Sequence, residues 1–159
     1  MNAEEMLGES EWVRPKAWKM DWELRKGREV MAKMFSPSMF GTAVRASFGN
    51  ELFSLRKGGL RRPGAAIARL GEKDDLALLS FDAMGRGRVT FTDGTVYIWE
   101  RAADARTWTV TREAAGALFS ITRDARSKYP TGKVIVIAPD PFIHILMLLT
   151  WFIITTGEC

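Results

Sequence analysis

One short segment concentrates the side chains best suited to binding an anion. RKGGLRRP places four cations within seven residues, around a pair of glycines: Arg56, Lys57, Arg61 and Arg62. If this segment forms a hairpin tip, its cations crowd together and attract phosphate, with backbone N–H groups assisting. Each cation near an anionic leaflet contributes on the order of 1 kcal/mol, so a cluster supports weak, salt-sensitive attachment. The alternative is a solvated loop that only aids solubility.

The sequence lacks the residues that nucleophilic or acid–base catalysis requires. Its one histidine, His144, lies in a strongly apolar segment, so a core histidine bonded to a nearby acceptor is favoured over a catalytic one. Its one cysteine, Cys159, is the last residue and has no prenylation motif. One His and one Cys cannot form the common zinc sites. We expect a protein that is not an enzyme, with no catalytic residues, metal or cofactor.

The carboxylate-rich and glycine-rich segments indicate turns. Asp74-Asp75 lies in GEKDDL, which is more typical of a polar turn than of a metal site. DAMGRGR, which begins at Asp82, supplies one carboxylate where an EF-hand loop needs several. GRGR at 85–88 lacks the strand and helix context of a dinucleotide fingerprint.

The composition is that of one globular domain. The chain has 159 residues, 47% hydrophobic and 26% charged, which excludes a mainly disordered protein. A net charge of +4 is far below that of a dedicated nucleic-acid binder. The six tryptophans lie at alternating or helical positions, so we interpret them as core residues rather than base-stacking platforms. Nucleic acid is therefore an unlikely partner.

Alternating polar and apolar residues predict strands throughout residues 12–138. Trp18, Met20, Trp22 and Leu24 alternate with charged side chains, a period of two that is typical of a half-buried strand. VTFTDGTVYIW and TWTVTREAAGALFSI each have two such runs joined by a turn, Asp93-Gly94 in the first. VIVIA and several shorter segments bring the count to about ten to twelve strands.

The last part of the chain predicts one apolar helix over residues 141–156. Asp140 suits the N-cap, Pro141 the first helical position and Gly157 the residue after the helix. Eleven of the sixteen residues are large and apolar, and they cover every direction around the axis. Such a helix is either a core helix or a membrane span. Its length of about 24 Å is short of the roughly 30 Å hydrocarbon core, which favours the core helix, with a tail anchor as the alternative.

The strands and the helix together predict a closed antiparallel barrel that encloses the helix. Closure removes exposed strand edges, and a barrel of this size has an interior that needs an apolar filling. We therefore expect a mainly β protein, with a flexible leader at 1–11 and a single domain at 12–159 whose core helix is 141–156. The acidic start MNAEEMLGES does not resemble a secretory signal.

The order of these features resembles the tubby-like C-terminal fold. The hairpins VTFTDGTVYIW and TWTVTREAAGALFSI precede GKVIVIAPDPFIHILMLLTWFIITTG, as barrel strands precede a hydrophobic helix in tubby proteins, phospholipid scramblases and LURP-one-related proteins. The resemblance covers nearly the whole chain. It implies a twelve-stranded barrel threaded by the helix, and an anionic-lipid ligand of the kind that tubby proteins bind.

Two functions follow as hypotheses. The first is a non-enzymatic binding or scaffold module, cytoplasmic and peripheral at the membrane, whose partner is an anionic membrane surface or another protein. The second is a tail-anchored or scramblase-like, lipid-translocating protein that uses residues 141–156 as a membrane span. The oligomeric state is left open.

Overall fold

The computed structural model describes residues 3–16, 21–35, 43–58, 64–104, 106–124 and 130–156. Within these ranges a short 3-10 helix, Ala3–Met6, precedes twelve strands and one α-helix, α1, Ile143–Thr156. The strands are β1 Gly8–Val13, β2 Trp22–Lys26, β3 Glu29–Met34, β4 Ala43–Phe48, β5 Glu51–Lys57, β6 Gly64–Arg69, β7 Asp75–Phe81, β8 Gly87–Phe91, β9 Val96–Arg101, β10 Thr107–Arg112, β11 Gly116–Arg123 and β12 Gly132–Val136.

The strands form a closed up-and-down barrel. Each strand pairs antiparallel with its neighbours in sequence, and β1 pairs with β12, Gly8 opposite Val136 and Trp12 opposite Gly132. Closure pairs both sides of every described strand, which removes the edges at which sheets aggregate. The predicted fold class is confirmed.

The first strand corrects the predicted leader over residues 1–11. β1 begins at Gly8 and closes the barrel, so this part of the chain is integral to the domain. Glu9 and Glu11 give the stretch its leader-like acidity, but they alternate with buried Ser10 and Trp12. The period of two continues through residues that composition alone assigns to a polar tail.

Two other predicted elements compare with the structure as follows. The hairpin turn at Asp93-Gly94 is confirmed: Gly94 has φ of +91°, and the Asp93 carboxylate accepts the N–H of Thr95 at 2.9 Å. The strand expected around Trp18 and Met20 begins at Trp22, and those two residues lie outside the described ranges.

Helix α1 fills the barrel interior. Ile143 and residues 145–154 are each at most 3% exposed. The Thr150 hydroxyl, a polar group inside this core, donates to the carbonyl oxygen of Leu146 at 2.8 Å. Because strands surround the helix on all sides, apolar residues are required all round it. The predicted core helix is therefore confirmed.

Tryptophan packing fixes the helix against one part of the wall. Trp151 stacks on Trp12 with ring centroids 5.5 Å apart and planes parallel to within 1°. Trp22 meets Trp151 edge-on and donates its indole N–H to the carbonyl oxygen of Pro130 at 2.9 Å. A Cβ at Gly132 would lie 2.6 Å from the Trp151 ring, so only glycine admits the ring at this position.

The helix begins two residues later than predicted. Pro141 and Phe142 form a turn, and α1 begins at Ile143. The carboxylate of Asp140 accepts the N–H of Phe142 at 2.9 Å, and its carbonyl oxygen accepts the N–H of Ile143 at 3.1 Å. Asp140 therefore closes the turn that leads into the helix, a capping contact of the kind expected there.

The barrel has two rims, named here after the ends of the helix. The N rim, where α1 begins, contains the connections β2–β3, β4–β5, β6–β7, β8–β9 and β10–β11, the residues before β1 and those between β12 and α1. The C rim, where α1 ends, contains the other six connections. Strand alternation thus assigns every second turn of the sequence to the same rim.

Candidate functional site

Arg56, from the predicted anion-binding segment, has an internal partner. Its guanidinium donates to both carboxylate oxygens of Asp75, each at 2.6 Å, and this contact raises the pKa of Arg56. The pair reaches across β6 on the outside of the barrel, where Arg56 lies opposite Ala66 and Asp75 opposite Ala68. Both alanines are less than 7% exposed.

Lys57, the second cation of that segment, lies at the end of the helix. Its ammonium group donates to the carbonyl oxygen of Thr156 at 3.3 Å, where the helix dipole favours positive charge. Arg61 and Arg62 lie outside the described residues. The anion-binding role of the segment stays a prediction.

The C rim as a whole is basic. Its described connections and the strand residues next to them carry seven Lys and Arg against four Asp. The basic residues are Arg14, Lys16, Lys57, Arg86, Arg101, Arg106 and Arg123; the acidic ones are Asp21, Asp82, Asp104 and Asp124. The sequences of the same connections add Lys19, Arg61, Arg62, Arg126 and Lys128, which lie outside the described residues.

Two of the four C-rim aspartates bind backbone N–H groups. The Asp82 carboxylate accepts the N–H groups of Met84 and Arg86 at 2.8 and 2.9 Å. The Asp104 carboxylate accepts those of Arg106 and Thr107 at 2.9 and 3.1 Å, and these bonds lower the pKa of Asp104. Both aspartates therefore shape turns, as their residue type favours.

The N rim has the opposite character. Counted in the same way, it carries ten Asp and Glu against five Lys and Arg. The acidic residues are Glu4, Glu5, Glu29, Glu51, Glu72, Asp74, Asp75, Asp93, Glu113 and Asp140; the basic ones are Lys26, Arg28, Arg69, Lys73 and Arg112. Charge is therefore separated along the barrel axis in a chain whose net charge is only +4.

Sequence reasoning found one contiguous basic run and missed the distributed site. The C-rim cations are spread from Arg14 to Arg123 and come together only because every second connection returns to the same end. The signal was present in the sequence. Summing charge over alternate turns, rather than over windows of adjacent residues, would separate the two rims.

A turn on the C rim presents an exposed apolar side chain. Met84, between β7 and β8, is 86% exposed, and the bonds to Asp82 fix the turn that carries it. Arg86 follows in the same connection and pairs with Glu100 at 2.8 Å. An apolar tip beside basic side chains suits the boundary between water and an anionic surface.

His144 lines a cavity of about 370 Å³ at the N rim. Its ring contacts Phe48 and Phe53, with centroids 5.7 and 6.1 Å away, and it makes no hydrogen bond to any described residue. The hydrogen bond that we expected His144 to make with a nearby acceptor is not found within the described ranges. Burial lowers the pKa of His144, with Glu51 opposing that shift.

Asp140 joins the helix start to the barrel wall. Its side chain is 1% exposed and accepts the Tyr97 hydroxyl at 2.7 Å and an Arg112 guanidinium N–H at 3.0 Å. Burial, and then the bond to Asp140, raise the pKa of Tyr97 far above its usual range. The carboxylate is thus held by donors from β9, β10 and its own turn, an arrangement that positions the helix.

The described residues contain no cluster of three or more His, Cys, Asp or Glu arranged to hold a metal ion. Asp75 of the predicted polar turn is the first residue of β7 and pairs with Arg56. In the part of the chain that the structure describes, no helix is both long and apolar enough to span a bilayer. No protein-family model, curated protein or solved structure matches the chain.

Proposed function

We propose that this protein is a non-enzymatic binding module that attaches peripherally to membranes rich in anionic phospholipid, with the C rim facing the headgroups. The observation that carries the proposal is the separation of charge between the two rims. A surface with a net excess of cations is attracted to an anionic leaflet by about 1 kcal/mol per cation near it. The acidic N rim is repelled by the same leaflet, so the charge distribution orients the barrel.

The exposed apolar tip supports the same orientation. Met84 lies on the basic rim and is among the most exposed large hydrophobic side chains that the structure describes. Peripheral proteins commonly combine electrostatic attraction with shallow insertion of apolar side chains. The tubby-like resemblance of the strand and helix order points to the same class of ligand.

The position of the helix supports a module that binds at the surface. In this fold the apolar side chains of α1 pack inside the barrel, where lipid does not reach them. A membrane span would require α1 to leave this core and expose its interior. The peripheral mode needs no such change.

Co-sedimentation with vesicles tests the proposal. We expect binding to vesicles of phosphatidylcholine with 30% phosphatidylserine, no binding to phosphatidylcholine alone, and release as salt rises, because screening weakens exposed charges. Removing three C-rim cations (Lys16→Gln, Arg106→Gln and Arg123→Gln) should weaken binding at least tenfold.

The matched control removes three N-rim cations, Arg28→Gln, Arg69→Gln and Lys73→Gln, which changes the net charge equally. This control should retain binding. Equal loss in both variants would show that net charge alone drives attachment, and absence of binding to anionic vesicles would leave a protein partner as the remaining candidate. Either result would overturn the proposal.

A further inference from the structure

A cleft on the C rim places two guanidinium-bearing residues side by side. Arg106 precedes β10 and Arg123 ends β11, and the backbone N–H of Arg123 donates to the carbonyl oxygen of Arg106 at 2.8 Å. Both residues line a cavity of about 350 Å³. Within the described ranges, neither guanidinium makes a hydrogen bond or ion pair with another side chain. Two neighbouring cations repel one another, and an anion between them removes that repulsion.

Two carboxylates, Glu11 and Asp124, also line the cavity. Glu11 lies between Lys133 on β12 and Arg25 on β2 in the strand register, and these two cations form ion pairs with Glu9 and Glu23, each at 2.7 Å. Asp124 makes an interaction of its own. Arg123 has no side-chain partner within the described ranges, whereas Arg106 interacts electrostatically with Asp104 and helps to lower the pKa of that carboxyl.

Neutral polar residues complete the lining. Thr122, Thr131 and Trp12 contribute to the cavity wall. The Trp12 indole N–H is buried and has no acceptor among the described residues, as is also the case for Trp99, Trp108 and Trp151. The Thr107 hydroxyl donates its proton to Asp104, so the Thr122 hydroxyl, 3.2 Å from it, donates to Thr107 and offers the cavity only acceptor capacity.

We infer that this cleft binds a phosphomonoester group between Arg106 and Arg123. Each guanidinium presents a planar fork of N–H donors that matches two phosphate oxygens, and a monoester offers three terminal oxygens where a diester offers two. A volume of about 350 Å³ is at the small end of ligand pockets, which suits a headgroup and not a whole lipid. If the phosphate belongs to a membrane lipid, binding at this cleft rests on the proposed function.

The test compares two anionic lipids at equal surface charge. Vesicles of phosphatidylcholine containing phosphatidic acid, which carries a monoester, should bind at least fivefold more tightly than vesicles containing phosphatidylserine, which carries a diester. Arg123→Gln and Arg106→Gln should each abolish this preference. Arg88→Gln, which removes an exposed cation near the same rim but outside the cleft, should preserve it. Thermal unfolding of each variant checks that the barrel is intact.

A second arm uses glycerol 3-phosphate in solution, followed by chemical-shift changes in the protein amides. Chemical-shift changes at the cleft that disappear in Arg123→Gln would support the site. This result would assign it a soluble phosphoester as ligand, even if the protein binds no vesicles and the membrane proposal fails. If Arg123→Gln and Arg88→Gln have the same affinity as each other for every ligand, the proposed site is overturned, even if both variants still bind vesicles.

Discussion

Asp140 shows how one buried carboxylate links the helix to the barrel. It accepts hydrogen bonds from Tyr97, Arg112 and the backbone of Phe142, and its side chain is 1% exposed. Removing it would leave the buried Tyr97 hydroxyl and the Arg112 guanidinium without their acceptor. The loss at Tyr97 is larger than the net value of its bond, because the buried hydroxyl stays unpaired, whereas the Arg112 side chain is 41% exposed and can bind water.

We predict that Asp140→Ala lowers the free energy of unfolding by about 2 to 3 kcal/mol, as measured by urea denaturation. Asp74→Ala, in an exposed turn of the same rim, should leave stability unchanged. Similar stability of the two variants would show that the buried carboxylate does not hold the helix start.

The lowered pKa of His144 predicts that the free energy of unfolding decreases as pH falls. Burial lowers its pKa in the folded state below the ordinary value of about 6.5, so the unfolded chain binds the proton more readily. The stability that neutral His144 contributes is complete above about pH 6.5 and decreases as pH falls toward the folded-state pKa. Glu51 opposes the shift, and Arg69 reinforces it.

The corresponding measurement is the free energy of unfolding at pH 7.5 and pH 5.5. The decrease between these values should be smaller in His144→Gln than in the natural sequence, since the variant lacks the titrating group. An identical decrease in both proteins would assign the pH dependence to other residues.

At the scale of elements, the helix and the barrel wall pack in close contact. Trp151 lies between Trp12 and the backbone of β12, and the missing side chain at Gly132 provides the space. Inserting a methyl group into such a contact typically costs 1–3 kcal/mol because packed side chains must shift.

We predict that Gly132→Ala destabilises the protein by about 1 to 3 kcal/mol, and that the cost is smaller when Trp151→Phe is also present. The smaller ring leaves room for the added methyl group. A double-mutant cycle from denaturant unfolding measures the coupling. Equal costs in the two backgrounds would mean that Gly132 is required for a reason other than the indole.

The elements that could be predicted from sequence are those whose signal is local. The core helix could be predicted from Asp140, the apolar run and Gly157, because helix capping and a continuous apolar segment are properties of neighbouring residues. β1 was missed because its buried positions, Ser10 and Trp12, lie in an acidic stretch, and only pairing with β12 reveals the strand. The basic rim was missed for the same reason, since barrel closure gathers residues that are distant in sequence.

At the scale of the whole molecule, the charges of the two rims are opposite in sign to the helix-dipole ends that they surround. The N rim, where α1 presents its positive end, is rich in carboxylates, and the C rim, where α1 presents its negative end, is rich in cations. Lys57, for example, donates a hydrogen bond to the carbonyl oxygen of Thr156 at the negative end of the helix. The polarity that stabilises the buried helix therefore also leaves a basic face at one end of the barrel, and we propose that this face meets the membrane.

Site-specific fluorescence tests this orientation most directly. With Cys159→Ser as the background, a polarity-sensitive dye is attached at Met84→Cys on the C rim or at Asn50→Cys on the N rim, both exposed turns. On addition of phosphatidylserine vesicles, we predict a blue shift of dye emission at position 84 and no shift at position 50. A shift at position 50 alone, or no shift at either position while the protein co-sediments, would contradict it.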